Sequence, residues 1–217
     1  MLTMEHTLKF LTDLSQNNDQ GWFLDHLGEY EQARTQVTDF AYLVFQQLIL
    51  LDTQLDEDVD VGRFISNLVI EKPKKGVPYR TYFSVTMSPL ANEGNEPQYH
   101  IHIDPLGSFL SMRYDPDVFG LQVIRNFIFK NLNEFHLILD DAFSSGFALN
   151  QVGALTAVPK GYLAGTAAEP YLKLRRFELI SPLDWSKSPE ELLTDIVMSF
   201  RQGIPFLQFL RRGLGFD

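Results

Sequence analysis

The sequence predicts an α+β domain in which a central antiparallel sheet packs against N-terminal and C-terminal helices. Three observations carry this expectation. Apolar residues recur at spacings of three, four and seven up to about residue 51. The spacing changes to two between residues 61 and 114 and becomes helical again after residue 115. The strand-like segments therefore cluster in the middle instead of alternating with helices, which disfavours a doubly wound parallel sheet. No repeat, low-complexity run or linker interrupts the 217 residues, so residues 1–217 are expected to form a single domain.

Residues 7–14 read as a short helix with Leu8, Leu11 and Leu14 inward. Asn17 and Asn18 end it, and Asp19 is placed to cap the next helix. That helix carries Phe23, Leu27, Tyr30, Val37, Ala41, Val44, Leu48 and Leu51 on one stripe, with Gly28 a point at which it splits. Arg34 lies on the same stripe and should be paired or snorkel outward. Residues 52–60 hold five carboxylates and read as a solvated linker. Residues 64–70, 79–87, 98–103 and 108–114 read as strands, the last two joined by the turn Asp104-Pro105-Leu106-Gly107. Residues 89–97 are polar and read as an exposed connection. Asp115-Pro116-Asp117 starts the next helix, with Asp115 as the cap, and residues 133–143 form another. Residues 171–180 read as a strand. Ser188-Pro189-Glu190-Glu191 opens a helix running to about residue 201. Gly203 and Pro205 then separate it from a final short helix at 206–212.

Composition narrows the function classes. With 18 Phe and eight Tyr the core is aromatic-heavy. The absence of Cys removes disulfides, thiolate catalysis and Cys-type zinc sites together and fits a reducing cytoplasm. The N-terminus has neither a basic segment nor an unbroken apolar run, and no stretch is long and apolar enough to span a bilayer, so no signal peptide and no membrane partner are expected. A formal net charge of −10 and a pI near 4.9 argue against nucleic acid, whose phosphates call for a broad basic face.

Against that acidic background, four of the 18 basic residues fall within the nine positions from Lys72 to Arg80. Lys74, Lys75, Arg80 and the Gly76 backbone could hold a phosphate or carboxylate. No Walker-type spacing accompanies them, and a solvated Lys-rich turn is the simpler reading for Lys72, Lys74 and Lys75. A second candidate is Tyr99-His100-Ile101-His102-Ile103-Asp104. Alternation places His100, His102 and Asp104 on one strand face, where they could hold a divalent metal or act as an acid–base pair, unless Asp104 serves the turn instead. A third is the helical set Trp22, His26 and Tyr30, spaced four apart, which would form a pocket wall or simply pack the helix start together with Asn17 and Asn18. Arg113, Arg125, Arg175 and Arg176 are further cations able to serve a pocket, Arg175 and Arg176 facing opposite ways on their strand. No hydrolase elbow, zincin motif or dinucleotide fingerprint is present.

The ordered blocks resemble the domain of unknown function 2461 family of bacterial and fungal proteins over nearly the whole chain. They are Phe10-Leu11-Thr12-Asp13-Leu14, Asn17-Asn18, Trp22-Phe23, His26, Tyr30, Pro78-Tyr79-Arg80-Thr81, His102 to Phe109, Pro159-Lys160-Gly161-Tyr162, Leu174-Arg175-Arg176-Phe177 and Pro205 to Leu210. The resemblance brings no established activity. It favours His102 as a polar site residue, since the family pattern places His there. This chain departs from the pattern at residues 68–76, where the Arg-Asp pair and the Asp-Lys typical of members are absent.

The resulting expectation is a domain that binds a small anionic ligand through Arg80, His102, Tyr79, His26 and Tyr30, with Pro78-Tyr79-Arg80-Thr81 the part of the basic stretch that matters. The alternatives are a hydrolase using His100, His102 and Asp104, with or without a metal, and a protein-interaction module. Cofactor, reaction and oligomeric state are not legible.

Overall fold

The computed structural model describes residues 3–73, 76–89 and 96–216. Lys74, Lys75 and most of the 89–97 connection lie outside the described residues. The elements are α1 (Glu5–Gln16), α2 (Gln20–Asp25), α3 (Leu27–Leu48), a 3-10 turn (Val61–Phe64), β1 (Phe83–Met87), β2 (Gln98–Ile103), β3 (Phe109–Tyr114), α4 (Val118–Lys130), α5 (Leu132–Ser144), β4 (Ala148–Leu149), α6 (Glu169–Leu172), β5 (Phe177–Pro182) and α7 (Pro189–Leu214). The fold is α+β with a five-stranded antiparallel sheet in the order β1-β2-β3-β5-β4, as the period switch implied. No helix among the described residues is long and apolar enough to cross a membrane. The chain divides into two compact units, one of Met1–Asn92, His100–Leu110 and Pro182–Met198, the other of Glu93–Tyr99, Ser111–Ser181 and Ser199–Asp217.

In the first unit α1 packs along α3, burying Phe10, Leu11 and Leu14 with Ala33, Val37, Phe40, Ala41 and Val44. The Asp19 side chain accepts from the Trp22 N–H, so the expected cap is present. The helix then breaks at His26, two residues before Gly28. His26 has φ −112° and ψ 23°, outside the helical basin, and its ring Nδ1 lies 2.8 Å from the Trp22 carbonyl oxygen. A side chain that engages the backbone of the preceding turn offers the chain an alternative to continuing the helix. Gly28 sits undisturbed in the first turn of α3.

The strand expected at 64–70 is reduced to two isolated bridges, Ile65 to Val85 and Val69 to Tyr79. Asp60 accepts from the Gly62 N–H and winds the chain into the 3-10 turn, and the Asn67 side chain accepts from the Val69 N–H. Both are local side-chain bonds that interrupt a ladder. The following strand accordingly starts at Phe83, not at 79.

In the second unit the cap of α4 is Asp117, which accepts from the Gly120 N–H at 2.7 Å. Asp115, expected as the cap, instead pairs with Arg176 and lies 3.6 Å from Arg113. A carboxylate before Pro116 is better used on two guanidinium groups than on a helix end that already has Asp117. The strand expected from residue 171 is delayed. Glu169 starts the turn α6 with Pro170 behind it, the turn is held by a Glu169–Lys173 ion pair at 2.5 Å, and β5 begins at Phe177. Arg175 and Arg176 therefore lie in a bend and not on a strand.

α7 is continuous through Gly203 and Pro205. Pro205 lacks an N–H and removes one intrahelical bond. That loss is outweighed where the same turns bury Phe200, Phe206, Leu207, Phe209 and Leu210. A Cβ at Gly203 would fall 1.7 Å from the Met112 Cε, so the glycine is there for close packing and not for a break.

Candidate anion-binding site

The expected site residues are placed as follows. Arg80 Nη1 donates to the Asn67 carbonyl oxygen at 2.6 Å, and the Tyr30 hydroxyl lies 3.4 Å from Asn67 Oδ1. These two side chains thus meet at Asn67. Tyr79 is buried and stacks on Phe23 with ring centroids 4.0 Å apart. Asn18 holds the Tyr79 backbone from both sides, donating to its carbonyl at 2.9 Å and accepting from its N–H at 3.1 Å. His26 stacks on Trp22 at 4.0 Å. His102 lies between Phe109 and Tyr82, at 4.7 and 4.6 Å, with Nε2 3.5 Å from Asp104 Oδ2. His100 is buried with Nδ1 3.1 Å from the Thr86 hydroxyl. Asp104 also accepts from the Leu106 N–H at 2.8 Å, which makes it a turn residue. Among the described residues no group of three or more His, Asp or Glu side chains is placed to hold a metal ion.

A better-formed site lies in the second unit. A cavity of about 400 Å³ opens between α4 and the loop 159–162, walled by Val118, Leu121, Gln122, Arg125, Asn126, Pro159, Lys160, Gly161 and Tyr162. The α4 wall residues recur at i, i+3, i+4, i+7 and i+8, which is one stripe of a helix. The neighbouring stripe, with Ile124 and Ile128, faces the core and fixes the helix's rotation. Across the cavity, Gly161 turns the loop at φ +100°, a conformation open to glycine and strained for other residues. The Tyr162 hydroxyl donates to Asn126 Oδ1 at 2.5 Å and ties the loop to the helix, and Phe129 meets the Tyr162 ring edge-on at 5.7 Å.

The wall is one-sided in charge. Arg125 and Lys160 line it, and no carboxylate does. Arg125 is 8% exposed. Its Nη2 donates to the Leu174 carbonyl oxygen at 2.7 Å, while its Nε is buried with no hydrogen-bond partner among the described residues. Burial pulls its pKa below the ordinary guanidinium range and the nearby Arg175 adds to this, with Tyr162 acting in the opposite direction. Arginine nevertheless stays protonated. Burial likewise raises the Tyr162 phenol, so it is a neutral donor at physiological pH. The site is therefore a nearly buried cation beside a second guanidinium, facing an open cavity with amide, hydroxyl and ammonium donors around it.

Arg125 and Arg175 are among the cations that the sequence marks as able to serve a pocket. Lys160 and Tyr162 stood only within a block carrying the family resemblance, and nothing local marked them as cavity walls. Two such blocks, 159–162 and 174–177, meet at Arg125 in space: the first walls the cavity and the second supplies the Leu174 carbonyl.

No curated protein and no solved structure matches the chain. A family model described as a conserved hypothetical protein (DUF2461) matches residues 6–209, so the match takes in both units and the whole of the cavity, and the chain belongs to that family.

Proposed function

We propose that this protein binds a small anionic molecule in the cavity walled by Arg125, Lys160 and Tyr162. The observation that carries the reading is the state of Arg125. Placing an ionised side chain out of water costs several kcal/mol unless a partner charge offsets it, and here Arg175 adds a like charge instead. A bound carboxylate or phosphate supplies the missing partner. The cavity volume falls in the range of small-molecule sites. The rest of the reading follows composition: one domain spanning 1–217, a cytoplasmic setting in keeping with the lack of Cys, and no nucleic-acid partner for so acidic a chain.

The test is a thermal-shift and calorimetric titration with acetate, succinate, phosphate and sulfate. A saturable rise in Tm is expected, and it should weaken in Lys160→Ala and Arg175→Ala. Both side chains are exposed, so neither variant threatens folding. An absence of stabilisation by every anion sinks the reading.

A second reading keeps the residues expected from the sequence, Arg80, His102, His26, Tyr79 and Tyr30, with His102 as the reacting group. The observation in its favour is the His102–Asp104 approach at 3.5 Å, a geometry suited to orienting an imidazole. Hydrolysis of an ester or phosphoester probe that is lost in His102→Gln and kept in Lys160→Ala would support it. Equal turnover in both variants and the parent would reject it.

A further inference from the structure

We propose that the ligand of the Arg125 cavity is an amphiphilic anion, with a compact anionic head at Arg125 and Lys160 and an aliphatic or aromatic tail lying along the first turns of α4. This rests on the anion-binding reading above and adds the other half of the ligand.

Size is the first argument. A bare anionic head occupies the space of a few waters, each about 30 Å³ in the liquid. The cavity is about 400 Å³ and leaves room for a tail. The second argument is the gradient of chemistry along α4. The polar wall residues Gln122, Arg125 and Asn126 sit mid-helix, while Val118 and Leu121 line the same cavity at the helix start. From Arg125 to Val118 the stripe runs about 10 Å.

Exposure is the third argument. Val118 is 89% exposed and its neighbour Phe119 76% exposed. Leu163, which follows the wall residue Tyr162, is 78% exposed. Apolar side chains left open beside a concave site mark a surface that something apolar covers. The opposite end of the stripe is already closed by the contact of Phe129 with Tyr162. The open direction is therefore towards Val118, and a tail of modest length laid there removes these side chains from water.

The test uses the full chain and straight-chain carboxylates from acetate to octanoate, with 1-octanol as the uncharged control, measured by calorimetry. Affinity should rise roughly fourfold per methylene along the series, octanol should bind far more weakly than octanoate, and Val118→Ser should reduce the gain per methylene. If acetate binds as tightly as octanoate, the tail proposal fails and the anion site stands. If octanol matches octanoate, or no carboxylate binds, the anion-binding reading fails as well. An undiminished chain-length gain in Val118→Ser overturns the placement of the tail.

Discussion

The Arg125 guanidinium donates to the carbonyl oxygen of Leu174 at 2.7 Å, and among the described residues no carboxylate pairs with it. The bond joins the polar stripe of α4 to the chain just ahead of β5. Nη2 is thereby fixed on a residue that lines the cavity.

Arg125→Met is expected to raise the stability of the ligand-free protein. The variant loses a charge-assisted hydrogen bond worth ~1–3 kcal/mol. It also relieves the burial of an unpaired charge, which costs more. A net gain of about 1 kcal/mol, or roughly 2–4 °C in Tm for a chain of this size, should appear together with loss of anion-induced stabilisation. A lower Tm with the anion response intact would contradict the role given to Arg125.

Tyr114 governs part of the alkaline limit. Burial, followed by the charge of Asp117, raises its phenol above the ordinary value, and burial does the same for Tyr171. Above about pH 10 the unfolded chain loses these protons while the folded chain keeps them, so stability falls as pH rises. Tyr114→Phe should lose less stability between pH 9 and 11 than the parent, read from urea midpoints. Equal losses would place the effect elsewhere.

Gly203→Ala pits two effects against each other. Alanine in a helix gains about 1 kcal/mol over glycine. Here the new Cβ meets Met112 Sδ and Cε at 2.0 and 1.7 Å, and Met112 is fully buried. Overpacking of this kind costs ~1–3 kcal/mol. Net destabilisation is expected by chemical denaturation, with recovery when Met112→Val is added to make room.

Ser111 and Glu178 form a buried pair. The hydroxyl donates to Glu178 Oε1 at 2.9 Å, while Oε2 accepts from Asn150 at 2.7 Å and lies 3.7 Å from Arg176. Ser111→Ala removes a donor from a carboxylate that is almost wholly buried. A loss of ~1–3 kcal/mol is expected, larger than in Ser111→Thr, which keeps the hydroxyl. Equal destabilisation by both variants would point to packing as the cause.

Much of the fold was legible because periodicity is local. The stripe of α3 and the alternation of β2 and β3 each reflect one element facing one core. Three of the misplaced boundaries share a cause that spacing along the chain does not carry, namely side chains bonded to nearby backbone. His26 and Asn67 broke regular structure where no Gly or Pro stands, and Asp117 took a cap that Asp115 was equally suited to take. Gly203 and Pro205 failed to break α7 because burial on both sides of them is worth more than their propensities.

The α+β class, the family and the identity of the cations are written in the chain's residues. Each depends on residue type and order along the chain. Which of those cations meet a carboxylate is set by the folded arrangement. Arg176 meets Asp115 and Glu178, while Arg125 meets a carbonyl and a cavity. Charge compensation is a matter of distances of a few ångströms between residues far apart in the chain, and no spacing rule carries that information.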